Sequence, residues 1–501
     1  MNRTHLFLLL ITICFILACT NEKPKYDYTT AEIIQSSKAG ELFVAGEALT
    51  LTKISNQQTN VVTINPQKTY QKIEGIGGAF TESSAYALNQ LSEEKRQEVL
   101  NAYFSQDGAN YSLMRTHFNS CDFSLSYYTY ADTKDDTMLS DFSVEDDLED
   151  LVPLIKDAQK ISTDGFKLLA SPWTAPPWMK ENNGWKGGSL KKEFYSTWAL
   201  FFSKYIKAYK ELGIPVWAVT VENEPMGNGG QWESMEFRPE QMVDFVKNNL
   251  GPQFKKDGLG TKILIYDQNR DHLLDWANAI LSDPEVCNYV WGTAVHWYSS
   301  TVEWYSQVLD SVHRKFPDKP LMQTEGCIDS EIPVWQDDAW YWTREATDWG
   351  YTWAPEEDKH LHPKYAPVYR YARDLIGGLN SWLSGWIDWN IVLDDKGGPN
   401  HANNWCVAPV IVKPETDEVY YTPLYYVMKH FSKFFRPGAV RIETINVPEP
   451  LMITACKNPD NSIAVAVLNQ SDEPHSFQLS LQEKVVSIEI PGDALQTVIL
   501  K

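Results

Sequence analysis

Eight short, mostly apolar runs are spread through the middle of the chain, and polar and apolar residues alternate between them at helical spacing. The runs are KIEGIGGAF, SLMRTHFN, FKLLASPW, VWAVTVEN, KILIYDQ, GTAVHWYS, PLMQTEG and SGWIDWNIV. After the third run, Phe194, Trp198, Phe201, Phe202, Tyr205, Tyr209 and Leu212 recur at the interval that lines one helix face. Eight strand-and-helix units in series predict an α/β fold, a (β/α)8 TIM barrel. A doubly wound open sheet is the alternative, but no GxGxxG loop opens the first helix.

The flanks have a different period. From Arg441 onward, LMITACK, SIAVAVLN, HSFQLSL, VVSIEI and ALQTVIL read as strands, broken by turns such as NPDN and PGD, and Leu42 to Lys72 has the same character. Pieces of one kind at opposite chain ends predict a side β-sandwich built from both, packed beside the barrel. The division expected is 42–70 and 436–501 for the sandwich and 71–435 for the barrel.

At the very start, Arg3 precedes the apolar run Leu6 to Leu17, too short to span a bilayer, followed by Ala18 and Cys19. This looks like a bacterial lipoprotein signal over 1–18, cut before Cys19, which would be lipidated; an ordinary cleaved signal is the alternative. Residues 19–41 then read as a tether. The expected location is an exported, membrane-anchored one, periplasmic or at the cell surface, touching the membrane only through the lipid on Cys19.

Composition narrows the choice of partner. A formal net charge of -22 would repel nucleic acid and anionic membranes. Aromatic residues make up 13% of the chain, and many stand in loops beside polar residues, a pattern that suits stacking on rings. Beyond Cys14 and Cys19, the five cysteines are widely and irregularly spaced, so neither a disulfide framework nor a CxxC metal site is suggested. His360 and His362 form an H-x-H with no third ligand in view, and no metal or cofactor is expected.

Barrel enzymes carry their chemistry at the carboxyl ends of the strands. Here those ends offer Asp122, Trp173, Asn223 and Glu224, then His296, Trp297 and Tyr298, then Glu325, then Asp388, Trp389 and Asn390. Two carboxylates among aromatic rings suit glycoside hydrolysis, one acid protonating the leaving oxygen while the other attacks or activates water. Glu222, two residues before Glu224, would share its face in a regular strand and is read as a structural ion-pair residue one layer deeper. His296 is open to two readings, sugar contact or satisfied structural histidine.

With these residues in place, the segments GGAFTESSA, SCDFSLSYYTYADT, LLASPWTAPPWMK, WAVTVENEP, AVHWY, QTEGC, GWIDWN and GGPN are similar to those of glycoside hydrolase family 30, the family of lysosomal glucosylceramidase and microbial endo-β-1,6-glucanases. The likeness runs from about Gln71 to Arg441. It implies Glu224 as general acid/base and Glu325 as nucleophile of a retaining double displacement. It further implies Asn223 on the sugar 2-hydroxyl, Asp122, Trp173, Trp389 and Asn400 around the glucose unit, and Arg115 as a buried arginine orienting the nucleophile. Tyr298, His296 and Trp297 are expected near the substrate.

Two segments depart from the family pattern. The one after Glu325, VWQDDAWYWTREATDWGYTWAPEEDKHLHPKY, carries Trp335, Trp340, Trp342, Trp349 and Trp353 and is expected to overhang the mouth, with some rings as further sugar subsites. The other, MGNGGQWESMEF, lacks the aromatic pattern that flanks the lysosomal aglycone site. A β-1,6-linked or related glucan therefore ranks ahead of glucosylceramide as substrate. A transglycosylase or a non-catalytic surface glycan-binding lipoprotein are the other readings.

Overall fold

The computed structural model describes residues 26–54, 60–348, 350–351 and 354–501. The candidate signal, Cys19, Trp349 and Trp353 lie outside the described residues.

Strands β1 (Thr30–Ser37) and β2 (Val61–Lys72) precede the barrel. The barrel then takes β3 (Gly75–Phe80), β4 (Leu113–Phe118), β5 (Lys167–Pro172), β6 (Val216–Thr220), β7 (Lys262–Asn269), β8 (Val290–His296) and β9 (Leu321–Glu325). The short β10 (Ile328–Asp329) lies outside it, and β11 (Leu383–Asp388) closes the ring against β3. Every neighbouring pair is parallel, and each of the eight apolar runs overlaps one barrel strand.

The runs are nearly continuous in hydrophobicity because both faces of each strand are buried. Leu113, Leu169, Ala218, Leu264, Ala294, Met322 and Ile387 fill the interior, while Met114, Leu168, Val219, Ile265 and Val295 face the surrounding helices. At β3 the two backbones approach so closely that a Cβ on Gly77 would stand 2.0 Å from the Leu113 carbonyl oxygen, which accounts for its glycines. Helix α1 (Tyr195–Glu211) buries Trp198, Phe201, Phe202, Tyr205 and Tyr209, the face that the spacing predicts. Helices α2 (Pro367–Asn380) and α3 (Pro423–Ser432) cover the side on which the second domain sits.

Past β12 (Cys406–Val407), which pairs antiparallel with β10, the chain leaves the barrel for six strands, β13 (Val440–Ile445), β14 (Leu451–Lys457), β15 (Ile463–Asn469), β16 (His475–Leu481), β17 (Lys484–Ile490) and β18 (Ala494–Leu500). Together with β1 and β2 they run in the order β1-β18-β15-β14-β13-β2-β16-β17 and enclose a core shared by Ile453, Val465, Val467 and Val498 with Phe477, Leu479, Val486 and Ile488. This is the sandwich built from both chain ends. The opposite face of β15 carries Ala464, Ala466 and Leu468 into the barrel-side core, small residues where the sheet lies against the barrel's outer layer.

The expected tether over 19–41 is too long. Strand β1 pairs with β18 from Ala31↔Leu500 to Ser37↔Ala494, and Tyr28 and Ala31 are buried. The backbone donors along β18 need a partner on that edge, and β1 supplies it. A sheet edge 460 residues away is what the local sequence cannot display.

Candidate active site

A cavity with about 460 Å³ of open space lies at the carboxyl ends of the barrel strands and is lined by Asp122, Trp173, Asn223, Glu224, Trp232, Tyr298, Glu325, Cys327, Asp329, Trp389, Asn404 and Cys406.

Its charged floor is built around Arg115, fully buried on β4. One guanidinium nitrogen donates to Glu325 Oε2; another donates to Asp267 Oδ2 at 2.8 Å and Asn223 Oδ1 at 2.9 Å, and Nε donates to Ser171 Oγ at 3.1 Å. All three nitrogens of the planar group donate, through four hydrogen bonds, so both the fork and the carboxylates it holds are fixed in place. The guanidinium carbon also lies 4.9 Å from the Trp173 ring and 5.6 Å from that of Trp389, and those two rings stack at 5.1 Å.

Glu224 stands beyond β6, which ends at Thr220. Its φ of 50° is left-handed, and its N–H donates to the Asp267 carbonyl at 3.0 Å. Strained backbone of this kind costs about 1–3 kcal/mol and persists where the surroundings impose it. The turn brings a Glu224 oxygen, a His296 nitrogen and a Glu325 oxygen within 4.8 Å of one another. His296 is fully buried between the acids, Nδ1 at 3.4 Å from Glu224 Oε1 and Nε2 at 3.0 Å from Asp267 Oδ1. Burial lowers its affinity for a proton, but Glu325 and Asp267 more than offset this and raise it to about 9. Wholly buried, bonded at both nitrogens and held on the protonated side by the two acids, His296 belongs to the charged floor beneath the cavity and is not among the residues that line it, which matches the reading of a satisfied histidine and not that of a sugar contact.

Opposing forces act on the nucleophile candidate. Burial pushes the Glu325 carboxyl up; His296 and Arg115 pull it down, while Glu224 adds to the rise. Tyr298 donates its hydroxyl to Glu325 Oε1 at 3.0 Å. Asp267 lies far below the ordinary carboxyl range, because Arg115 and His296 overcome its burial. Asp122 is pushed well above that range by burial, with Glu325 and Glu233 adding to it. Asn404 donates to Asp122 Oδ2 at 3.2 Å, and Asp122 Oδ1 is buried without a partner among the described residues.

Asp122, Trp173, Asn223, Glu224, Tyr298, Glu325 and Trp389 therefore line the cavity, with Arg115 and His296 beneath them. Trp297 does not. Its indole points into the core, donating to the Cys327 carbonyl at 3.1 Å and packing on Trp386 and Tyr371, with Arg370 over its face at 4.0 Å. Strand alternation explains the error, since neighbours of His296 point to the other face. Asn400 also stands back from the cavity and closes its own loop, exchanging hydrogen bonds with the Asn404 backbone at 2.6 and 3.1 Å. Asn404 takes the place beside Asp122.

Glu222 is not on a regular strand with Glu224. It is fully buried, and neither of its carboxyl oxygens has a hydrogen-bond partner among the described residues. Burial pushes it well above its ordinary range and lowers the nearby Lys180 to about 8. Lys180 spends its ammonium on the Trp185 and Ser234 carbonyls, so the expected ion pair is absent among the described residues. Of the tryptophans after Glu325, Trp342 is buried against Tyr369, and Trp335 packs on Tyr420 under the Lys413 ammonium.

Sequence reasoning missed Asp267, Trp232, Asn404 and the thiol pair Cys327 and Cys406. Asp267 had a visible signal, a lone acid at the end of an apolar run. Consecutive left-handed residues, Tyr266 at φ 76° and Asp267 at 61°, form the bulge that turns it inward. Trp232 stood in plain view in MGNGGQWESMEF. Asn404 had no signal, because the loop's path decides which asparagine reaches Asp122.

A (β/α)8 barrel whose strand ends hold two facing carboxyl groups in an aromatic cavity is the architecture of a glycoside hydrolase. The particular family follows from comparison: the glycosyl hydrolase family 30 TIM-barrel domain matches residues 73–435 and the family 30 β-sandwich domain matches 438–498. The chain belongs to glycoside hydrolase family 30. It is 37% identical over 430 residues to mouse lysosomal acid glucosylceramidase, covering 84% of this chain and 79% of that one. It is 29% identical over 419 residues to an endo-1,6-β-D-glucanase of Neurospora crassa, covering 80% and 79%. Among solved structures, SrfJ from Salmonella typhimurium superposes with a TM-score of 0.83 at 29% identity, over 94% of this chain and 99% of that one. An endo-β1,6-glucanase superposes at 0.79 with 27% identity, over 94% and 98%.

Proposed function

We propose that the protein is a retaining β-glycosidase that cleaves β-glucosidic bonds, with a β-1,6-linked or related glucan as substrate. The observation that carries the reading is the approach of Glu224 and Glu325 oxygens to within 4.8 Å. Retaining enzymes hold their carboxyl groups about 5–5.5 Å apart, and inverting ones about 6.5–9.5 Å to admit a water.

In this mechanism Glu325, fixed by Arg115 and Tyr298, attacks the anomeric carbon while Glu224 gives its proton to the departing oxygen. The glycosyl ester that forms removes the Glu325 charge. Glu224, now a carboxylate, takes a proton from the water that attacks the ester, and Glu325 is released. Two cations, Arg115 and His296, face Asp267 and Glu325 across the floor beneath the sugar. In this reading Asn223 meets the sugar 2-hydroxyl, and Oδ1 of Asp122, buried without a partner among the described residues, meets a further hydroxyl.

A glucan is supported by rings outside the cavity. Trp232 lines its wall, and the next residue, Glu233, is buried between Ser120 and His401, bonded at 2.6 and 3.2 Å. His401 packs on Tyr127 at 4.3 Å, Tyr127 stacks on Trp185 at 5.3 Å, and Tyr127 remains 38% exposed. Such a surface suits a second sugar ring. Glucosylceramide is the second reading, favoured by the 37% identity to the mouse glucosylceramidase.

Product analysis on β-glucans, aryl β-glucosides and glucosylceramide, with the first anomer recorded by NMR, tests both. A first product of inverted configuration overturns double displacement, and cleavage of glucosylceramide alone reverses the substrate order. We also infer export as a lipoprotein anchored at Cys19, which mass spectrometry of the mature N-terminus tests.

A further inference from the structure

Immediately beyond the nucleophile, β10 pairs with β12 so that Asp329 stands opposite Cys406 and Ile328 opposite Val407. Cys327 is thereby the diagonal neighbour of Cys406. Their Sγ atoms are 3.4 Å apart, Cys406 Sγ is 3.4 Å from Asp329 Oδ1, and one ligand atom from each of the three residues lies within 4.8 Å of the others. Both cysteines are free thiols, buried yet on the cavity wall.

Two considerations, the general spacing of diagonal partners and the ligand distances, favour a metal cluster over a disulfide. Diagonal partners across an antiparallel pair have Cα atoms about 7–8 Å apart, beyond the roughly 4.4–6.8 Å usual for a disulfide. A tetrahedral zinc-type cation, with sulfur at about 2.3 Å and oxygen at about 2.0 Å, sets its ligands about 3.8 Å apart for two sulfurs and about 3.5 Å apart for sulfur and oxygen. The observed 3.4 and 3.4 Å sit close to that pattern. The remaining direction opens on the cavity, where Tyr298 Oη stands 3.4 Å from Cys327 Sγ and bonds to Glu325.

We propose that Cys327, Asp329 and Cys406 bind one thiophilic divalent cation of the zinc class on the wall of the sugar cavity, and that cation and sugar exclude each other. On binding, two thiols become thiolates and release two protons to solvent, while the Asp329 carboxylate supplies the third ligand and water or the Tyr298 hydroxyl the fourth. Glycosidase activity would then respond to free thiophilic metal.

Cobalt titration of the metal-stripped, reduced full chain tests the binding. We expect one Co²⁺ per chain, with a thiolate-to-cobalt charge-transfer band and intense tetrahedral absorption that zinc bleaches. Cys406→Ser, with unchanged circular dichroism, is expected to lose part of the charge-transfer band and weaken binding by more than about tenfold, the loss already typical of an outer-sphere partner. Asp329→Asn keeps the band and weakens binding. Absence of the band in the reduced wild type, or its persistence in a folded Cys327→Ser, Cys406→Ser double variant, overturns the site. Competition with sugar rests on the glycosidase reading and has its own readout. Zinc should raise KM for an aryl β-glucoside without changing kcat, and a fall in kcat alone overturns the exclusion while the cobalt spectrum still decides the site.

Discussion

Arg115 and Glu325, 210 positions apart in the chain, form an ion pair in which the arginine is wholly buried and the acid nearly so. Arg115 also pairs with Asp267, so one cation holds two carboxylates in place. Arg115→Met leaves both acids buried with one cation fewer, and removal of one partner of a buried pair costs about 3–5 kcal/mol. Urea unfolding of the variant should show a loss of that size, and kcat should fall with it. Arg115→Lys should recover part of the stability and little of the turnover, since an ammonium cannot make the fork. An unchanged unfolding midpoint in Arg115→Met would contradict the account.

Glu224→Ala removes the proposed proton donor. For substrates with poor leaving groups, turnover should drop about 10²–10⁴-fold, the usual worth of general acid–base catalysis. Activated aryl glucosides should still load Glu325, and azide should then restore turnover and yield a β-glucosyl azide. An α-azide would exchange the roles of the two acids.

Asn404 and Asn400 separate geometry from family resemblance. Asn404→Ala strips Asp122 of its only hydrogen-bond donor among the described residues and should raise KM for an aryl β-glucoside by about tenfold, or about 1.4 kcal/mol, in line with a hydrogen bond to a partly charged group. Asn400→Ala should act on loop stability, lowering Tm with a smaller change in KM. Equal KM effects from the two would mean that the loop reaches the sugar differently.

His296 sets a limit on the alkaline side. Its folded-state pKa of about 9 lies above the ordinary 6.5, so the folded protein holds this proton more tightly. The stability it adds is complete below about pH 6.5, fades as pH rises, and is gone above about pH 9. The urea midpoint of the wild type should fall across that window, and the fall should flatten in His296→Gln. A wild-type midpoint constant from pH 6.5 to 9 rules out the charged imidazolium.

The Tyr127 and Trp185 rings make a substrate-length prediction. Tyr127→Ala and Trp185→Ala should raise KM for long β-glucans several-fold, since a stacked ring contributes on the order of 0.5–1.5 kcal/mol. KM for an aryl β-glucoside should stay within about twofold. Equal losses on both substrates would place the rings in the support of the cavity instead of a second sugar site.

Much of this site is legible in the chain because a parallel strand buried on both faces is apolar until it ends, and its first polar residue at the carboxyl end marks the mouth. Asp122, Asn223, Glu224 and Glu325 all lie at or just past such ends, among the polar residues that gather there. Asp267 carries the same mark, at the end of KILIY. The misreadings of Trp297 and Glu222 share one cause. Each is fixed by where a loop or a strand end turns, and composition does not record direction.

The sequence by itself determined the barrel, the sandwich at its side and the pair of acids, since burial period and strand ends are local properties of the chain. Only the tertiary structure decided that β1 begins the sandwich, that Asn404 and not Asn400 meets Asp122, and that Cys327 and Cys406, 79 residues apart, bring their sulfurs to 3.4 Å. These depend on pairing between distant segments, whose closure is set by the packed whole and leaves no period in the residues that take part.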